Sequence, residues 1–433
     1  MKNQRLLALI TFTALALLLG NVLNKTVSTS QFNEAYPAVV CPPNTAGLST
    51  AISLTSGKTM ARKTGTSSMV TSPVRFTRFA IAAQSAVIDA GAVTPIAWQV
   101  RKGTWAGATP CSAPTSSQWF VGASADLTSK GTLNLVNSGL GRALVDVELF
   151  TEKGPLTPRT VSMKANSFVK IALPTLAPGS KSIAIHLATR SGRVNGFVVD
   201  ERGKGLRALG GDLVNSTTAP TKKIHIPAIP QVTVKKTSTP HVLRLLVPGD
   251  VDARISAVIR STDGTFSPVG INGQTITHKQ VVEIPMDLNM ASGKFALHID
   301  SDQPILASVF SKTTANGKSD FIWSTAADEL TEFTLATTGL SPTLVFTGER
   351  IQVTLDLTYT NGTHKKKRIS AEDIATFVSP STLRSVRFTQ ISPGTSGAAL
   401  ISSMSGYGYI PLSAGSKLTK SFVPSSNIKV LNP

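Results

Sequence analysis

The amino-acid sequence predicts an all-β protein: tandem immunoglobulin-like β-sandwich domains behind a single N-terminal transmembrane helix. From residue 36 onwards, short runs of Val, Ile, Leu, Thr and Phe alternate with clusters of Gly, Pro, Asn and Asp, the pattern of short strands and tight turns. One long apolar run lies near the N terminus, and one segment recurs further along the chain. With 433 residues, the chain has room for about three or four domains.

The apolar run, residues 6–23, carries no charge and is nearly long enough to span a hydrocarbon core as a helix. Lys2 and Arg5 precede it, so the positive-inside rule places residues 1–5 in the cytoplasm and the bulk of the chain outside. A cleaved signal peptide is the alternative. The run is longer than a usual signal core and no A-x-A-like site precedes Asn24, which favours an uncleaved single-pass anchor in the cell membrane. The polar residues 24–36 then form a tether.

The chain has two cysteines, Cys41 and Cys111, both in the exported part. In an oxidising compartment such a pair most simply forms one disulfide bond. Two free buried thiols are the alternative, whereas a metal site would need histidines at suitable spacing nearby. The sequence therefore predicts a disulfide-containing N-terminal β domain over residues 37–117.

An internal repeat organises the rest of the chain. Residues 133–158 align without a gap with residues 243–268, and a weaker copy runs over residues 344–362. Each copy predicts two strands followed by a hairpin turn at Gly154, Gly264 or Gly362, because glycine tolerates the positive φ angles of such turns. With the strands that follow, each unit has the size and rhythm of an immunoglobulin-like sandwich. We therefore predict three repeats over residues 118–218, 219–326 and 327–433.

Three further segments carry weaker patterns. The proline-rich residues 222–230 predict a linker between the first two repeats. The alanine-rich residues 79–92 predict the best helix outside the anchor, and residues 371–377 predict one or two helical turns.

Several short stretches also carry a resemblance to a known family. They are Val40-Cys41-Pro42, the run from Cys111 to Pro114 leading into Trp119–Gly122, the sequence LNLVNSG from Leu133, Ala184–Leu187, and Gly196–Asp200. In their order and spacing, over most of residues 37–330, the chain resembles an uncharacterised family of actinobacterial membrane-anchored exported proteins, a domain of unknown function. The resemblance implies an N-terminal membrane segment and tandem β-sandwiches. It also implies a role in envelope glycan assembly, since members look to be encoded beside a membrane glycosyltransferase. It supplies no catalytic residues.

The residues that could carry chemistry do not form a recognisable active site. His186 and His298 occupy similar positions in two repeats, as a paired ligand or acid–base site would, but outward-facing strand positions are the simpler interpretation. Asp250, Asp252 and Asp263 either gather a calcium ion or cap solvated turns; the turn interpretation is favoured, as it is for Asp200 and the other acidic pairs. We predict that Trp119 and Trp323 are buried core residues and do not stack on sugars. The sequence thus predicts a non-enzymatic protein without a cofactor.

The charge balance indicates an anionic partner. The net charge is +19, and Lys365, Lys366, Lys367 and Arg368 form a basic run. Export argues against nucleic acid, so the run predicts binding of anionic cell-wall polymer; a charged edge strand that blocks aggregation is the alternative.

The predicted function is an extracytoplasmic cell-envelope scaffold or accessory factor for glycan assembly, with wall polymer or a membrane glycosyltransferase as partner. A carbohydrate-binding module for neutral glycans is the alternative, although aromatic residues are only 6% of the chain.

Overall fold

The computed structural model describes residues 11–16, 32–35, 37–44, 47–55, 57–66, 71–234, 237–416 and 421–424. The chain forms two compact units. In the first, drawn from residues 1–36 and 418–433, residues 11–16 are helical and β1 (Phe32–Ala35) pairs antiparallel with β36 (Ser421–Pro424). Part of the predicted tether is therefore a strand.

The predicted membrane anchor, residues 6–23, lies outside the described residues apart from 11–16. Among the helices that the structure does describe, none is long and apolar enough to cross a bilayer.

In the second compact unit, residues 37–417, the described regular secondary structure is almost entirely β-strand, which confirms the all-β prediction. Its strands form four sandwiches, each built on eight strand positions and named sandwich N and sandwiches 1, 2 and 3 in chain order. Sandwich N contains β2 (Val39–Cys41), β3 (Ser49–Ser53), β4 (Thr59–Lys63), β5 (Ser72–Val74), β6 (Arg78–Ile81), β7 (Ala86–Asp89), β8 (Val93–Thr94), β9 (Ile96–Arg101) and β10 (Trp105–Pro110). Sandwich 1 contains β11 (Ser117–Val121), β12 (Thr132–Asn137), β13 (Ala143–Thr151), β14 (Gly154–Pro155), β15 (Arg159–Met163), β16 (Ser167–Ala172), a short helix (Leu173–Leu176), β17 (Ile183–Ser191), β18 (Val194–Lys204) and β19 (Arg207–Val214).

The other two sandwiches follow without a break. Sandwich 2 contains β20 (Thr221–Gln231), β21 (Thr233–Val234), β22 (Thr237–Ser238), β23 (His241–Leu246), β24 (Ala253–Ser261), β25 (Gly264–Phe266), β26 (Thr275–Ile276), β27 (Val281–Met286), β28 (Gly293–Ala315) and β29 (Lys318–Thr325). Sandwich 3 contains β30 (Phe333–Ala336), β31 (Thr343–Tyr359), β32 (His364–Val378), β33 (Leu383–Thr389), β34 (Ser396–Ser403) and β35 (Gly406–Pro411).

One pairing scheme recurs in all four sandwiches. In sandwich 1, one sheet has the order β11-β17-β13-β14 and the other β16-β12-β18-β19. Sandwich N repeats it as β2-β7-β4-β5 and β6-β3-β9-β10. Sandwiches 2 and 3 repeat it with longer strands, because β28, β31 and β32 each pass from one sheet into the other. Numbered by position, the two sheets are 1-6-3-4 and 5-2-7-8.

The two sheets of each sandwich enclose one hydrophobic core. In sandwich 1, Leu133 and Leu135 of β12 pack with Val145, Val147 and Leu149 of β13, at the alternate positions expected of a half-buried strand. Strand 2 lies beside strand 5, and strand 3 beside strand 6, as they do in immunoglobulin constant domains. The first, fourth and seventh strands, however, lie in the opposite sheet relative to that order.

The four sandwiches form a closed ring around their eighth strands. β10 packs against β19 and β35, and β29 packs against the same two strands. Neighbouring eighth strands run in the same direction, because Trp105 lies against Gly211 while Gly107 lies against Leu213, two residues further along both strands. The same contact surface is used head to tail, an arrangement that closes into a ring when the rotation permits.

Hydrophobic contacts and hydrogen bonds join each sandwich to the next. They are Val40 and Val87 with Val136 and Phe197 (N to 1), Trp119 and Val121 with Leu246 and Leu306 (1 to 2), Ala228 with Val345 and Leu400 (2 to 3), and β8 paired in parallel with β30 (3 to N). The ring is thus sealed by buried side chains at every interface.

The structure corrects three predictions. The predicted linker 222–230 is strand β20, whose Ile224, Ile226 and Ile229 lie in the core of sandwich 2; a bulge between Ile226 and Ile229 accommodates the prolines. The predicted helix over residues 79–92 is β6 and β7, and residues 371–377 belong to β32. In all three, packing on a sheet overrides local propensity.

The three predicted hairpin glycines occupy equivalent turns. Gly154, Gly264 and Gly362 each lie between the third and fourth strands of a sandwich and have φ angles of 117°, 121° and 84°. The sequence repeat does not extend to sandwich N, because the strands there are short and the residues after β4 contain no Asn-Gly or Asp-Gly dipeptide.

Candidate functional site

The basic run lies on an edge strand. Lys365, Lys366, Lys367 and Arg368 are all exposed in the first half of β32, which pairs with β31. Their charges are only partly neutralised: the Lys366 Nζ lies 3.8 Å from Asp356 Oδ1, and the Lys365 Nζ lies 5.7 Å from the centre of the Tyr359 ring. This geometry suits both interpretations of the run, since an edge strand presents charge to any partner as well as blocking sheet association.

The predicted disulfide bond between Cys41 and Cys111 is confirmed. It joins β2, the first strand of sandwich N, to the residue that follows its last strand, β10. The neighbouring backbone is paired too, since Val40 N donates to Ser112 O at 2.8 Å and Ser112 N to Val40 O at 3.1 Å. The disulfide bond therefore links the first strand of sandwich N to the segment that connects it with sandwich 1.

The three aspartates considered for calcium do not come together. Asp250 and Asp252 precede β24, whereas Asp263 follows it, and nine residues of strand separate the two ends by about 30 Å. Asp252 accepts a hydrogen bond from His278 N at 2.9 Å, and Asp250 pairs with Lys279. Within the described ranges, no group of three or more His, Cys, Asp or Glu side chains is arranged to hold a metal ion.

His186 faces outward, between the core residues Ile185 and Leu187, as predicted. Its Nε2 lies 2.9 Å from Ser117 Oγ and its Nδ1 lies 2.9 Å from Glu148 Oε2. Its ring also stacks on Trp119, with a centroid distance of 3.8 Å. The neighbours therefore satisfy both ring nitrogens.

The order serine–histidine–glutamate is that of many hydrolases, but the surroundings differ. Hydrolases of this type need backbone N–H groups that are free to bind an oxyanion beside the serine. Here the N–H groups of Trp119 and Thr189 donate to Thr217 O and Ser116 O, at 2.9 and 2.8 Å. Ser117 also lies in a regular strand instead of on a strained turn. The group is best explained as a hydrogen-bonded surface network.

His298 occupies the equivalent strand position in sandwich 2, and its neighbour across the sheet is His225. The two Nδ1 atoms are 2.8 Å apart, and His298 Nε2 lies 2.7 Å from Thr347 Oγ1 of sandwich 3. Burial, assisted by the nearby His225 and Arg260, lowers the pKa of His298 to about 3. Burial also lowers the pKa of His225, so both rings are neutral at pH 7 and one Nδ1 donates to the other. The contact with Thr347 links this pair to sandwich 3.

The centre of the ring holds a buried polar cluster that the sequence did not reveal. Asp200, predicted at a solvated turn, is fully buried in β18, and Asp212 and Asp320 lie buried on β19 and β29. Trp323 donates from Nε1 to Asp200 Oδ2 at 2.9 Å and from its backbone N to Asp212 Oδ2 at 2.7 Å. We call Asp200, Asp212 and Asp320 the central carboxylates. Trp323 is a core residue, as predicted.

Two cationic side chains accompany the central carboxylates. Arg202 pairs with Asp200, with Nη2 to Oδ2 at 2.8 Å, and lies over the ring of Phe321. Arg244 of sandwich 2 is buried; its Nη1 donates to Ala123 O and Ile183 O of sandwich 1, and its Nη2 to Glu283 at 2.6 Å. Arg244 therefore cross-links two sandwiches through their backbone.

Asp320 is the least satisfied of the central carboxylates. Its Oδ1 accepts a hydrogen bond from Gly211 N at 3.1 Å, whereas its Oδ2 is buried without a partner in the described structure. Gly210 and Gly406 permit this close packing, because a Cβ at either position would lie 2.6 Å from a carboxylate oxygen. Burial raises the pKa of Asp320 to about 7, and it raises the pKa of Asp212 well above its usual range.

The raised pKa of Asp320 predicts a pH-dependent stability. The unfolded carboxyl loses its proton near pH 3.9. The folded protein therefore binds the proton more tightly, and this contribution to stability is full below about pH 4 and is lost as the pH rises through about 7. We expect Asp320→Asn to stabilise the full chain at pH 8 by on the order of 2 kcal/mol and to leave it unchanged near pH 4.

Urea unfolding of the full chain at pH 5 and pH 8 measures this effect. Asp287→Asn, at an exposed loop position, is the matched control and should leave the difference between the two pH values unaltered. Burial also raises the pKa of Asp212, which faces the same centre, so some pH dependence should persist in Asp320→Asn. An Asp320→Asn chain with the full wild-type pH dependence would refute this assignment.

Comparisons with known proteins give a family but no activity. A sequence profile described as a family of unknown function, DUF5719, matches residues 67–378. Among solved structures, the chain is similar to a crystal structure of a tetra-tandem repeat in the extending region of a large adhesion protein, with 9% identity over 90% of this chain and 96% of that one. The TM-score of that comparison is 0.11, which does not indicate a shared fold. No curated protein matches.

Proposed function

We propose that this chain, which belongs to the family of unknown function DUF5719, is a non-enzymatic scaffold of the cell envelope that binds anionic wall polymer. The observation that carries the proposal is the exposed basic edge of sandwich 3. Alternate residues of a strand face opposite sides, so Lys365 and Lys367 extend to one side of β32 while Lys366 and Arg368 extend to the other. A phosphate-bearing polymer could follow this edge and pair with cations on both sides.

The proposed location is the outer side of the cell membrane. A disulfide bond persists in oxidising compartments, which supports export of the part that contains Cys41 and Cys111. The apolar residues 6–23 would serve as the single-pass anchor, with residues 1–5 in the cytoplasm. The four sandwiches, a variant of the immunoglobulin-like class, would form a rigid body that holds the polymer, or a membrane glycosyltransferase, near the membrane.

Binding of neutral glycans is less well supported. Such modules stack aromatic rings on sugars, and tryptophan is well suited to this role. All four tryptophans of this chain, Trp98, Trp105, Trp119 and Trp323, are buried in the ring. Charge is therefore the better basis for recognition.

Charge reversal on β32 tests the proposal. We expect Lys365→Glu/Lys367→Glu to weaken binding of the full chain to poly(glycerol phosphate) roughly thirtyfold, since each of the two reversed charges costs about 1 kcal/mol near water. Wild-type binding should also vanish near 1 M salt, where the screening length is about 3 Å. A pull-down with the immobilised polymer measures both.

The control is Lys153→Glu/Lys164→Glu, which makes the same change in net charge at exposed positions of sandwich 1. Equal losses in the two variants would show that binding follows net charge and not the basic edge. Binding that survives high salt would contradict the charge-based mechanism.

A further inference from the structure

The hairpins between the seventh and eighth strands of all four sandwiches lie at one end of the ring. This follows because the four eighth strands run in the same direction around the centre: Gly406 lies against Ala106, and Gly408 lies against Ala108 two residues further on. The loop over residues 122–131 joins this end, since Gly203 N donates to Thr128 O at 2.8 Å and the Lys130 Nζ to Gly205 O at 3.2 Å. We call these four hairpins and this loop the hairpin face.

Large apolar side chains project from the hairpin face into solvent. The exposed fractions are 103% for Leu127, 107% for Leu206 and 83% for Met404. Leu127 and Leu206 stand on neighbouring turns that the two hydrogen bonds above hold together. Full exposure at ordered, cross-linked turns is costly in water, which suggests that these side chains meet an apolar environment.

Cations surround these apolar tips. The exposed basic residues of the face are Lys102, Lys130, Lys204, Arg207 and Lys318. The carboxylates close to them are already engaged: Asp126 accepts from Thr128 N and Oγ1, both at 2.7 Å, Glu201 pairs with Arg101 at 2.5 Å, and Asp320 is buried. The face therefore presents positive charge next to exposed leucine.

We propose that the hairpin face docks on the surface of a bilayer that contains anionic lipid. A soluble polyanion would satisfy the cations but would leave Leu127 and Leu206 in water. A lipid surface satisfies both, because apolar tips enter the boundary between headgroups and acyl chains while Lys and Arg pair with phosphates. The inference uses residues other than the basic edge of β32, so it stands independently of the proposed function.

Hydrogen exchange on the full chain tests the docking. Phosphatidylcholine vesicles with phosphatidylglycerol should slow amide exchange over residues 125–130 and 203–209 roughly tenfold relative to the chain in solution. Vesicles of phosphatidylcholine alone should not. A local readout separates docking by this face from any association through residues 6–23.

Paired serine variants identify the contact. Leu127→Ser/Leu206→Ser should abolish the protection. Leu140→Ser/Val251→Ser should not, because these exposed residues follow the second strands β12 and β23 and lie at the opposite end of the ring. Equal protection by soluble poly(glycerol phosphate), protection with phosphatidylcholine alone, or full protection in Leu127→Ser/Leu206→Ser would each overturn the proposal.

Discussion

Replacing Arg244 with alanine is expected to lower the free energy of unfolding by about 3 kcal/mol or more. The loss does not come mainly from Glu283, which is partly exposed and would be solvated by water. It comes from the carbonyl groups of Ala123 and Ile183, which would stay buried without a donor, and from the cavity beside the Trp323 ring, which the guanidinium covers at 4.5 Å.

Chemical unfolding of the full chain measures this loss. Arg142→Ala is the matched control, because Arg142 is exposed and its removal should cost less than about 0.5 kcal/mol. Arg244→Lys should lie between wild type and Arg244→Ala, since an ammonium group keeps the charge but cannot reach both carbonyls and Glu283 in the same geometry. Equal stability of Arg244→Ala and Arg142→Ala would show that Arg244 does not join the sandwiches.

Removing the disulfide bond is expected to destabilise the protein by about 4 kcal/mol, because a closed loop of about 70 residues greatly restricts the unfolded chain. The change is Cys41→Ala/Cys111→Ala, and the measurement is unfolding under non-reducing conditions. Cys41 and Cys111 lie in the smallest hydrophobic core of the four sandwiches, so sandwich N has little other stabilisation to offset the loss.

Reductant provides the control for this prediction. It should destabilise the wild-type chain by a similar amount and leave Cys41→Ala/Cys111→Ala unaffected. Equal stability of the variant and the oxidised wild type would contradict the prediction, because it would show that the disulfide bond adds nothing to the free energy of unfolding.

The sequence predicts the strands of this protein better than their arrangement. Alternation of apolar and polar residues, as in Ile351, Val353 and Leu355, follows directly from the two faces of a strand. The turn glycines mark the hairpins for the same local reason. Strand β20 is not predicted from the sequence, because its prolines are typical of a linker. A bulge allows these prolines within the sheet.

The centre of the ring could not be predicted, because it forms only when distant segments meet. Asp200, Asp212 and Asp320 belong to two different sandwiches, and Asp320 sits between exposed serine and buried phenylalanine on β29, a pattern typical of a surface strand. What buries them is the packing of four eighth strands, and no local pattern encodes that contact. The glycines that allow it, Gly210 and Gly406, resemble ordinary turn glycines in sequence.

The closure of four sandwiches into one ring is the central claim, and calorimetry of the full chain tests it most directly. Because every sandwich buries contacts with both neighbours, residues 37–417 should unfold in a single transition, and Arg244→Ala should lower the temperature of that whole transition. Several separate transitions, of which Arg244→Ala moves only one, would show instead that the sandwiches are independent units along the chain.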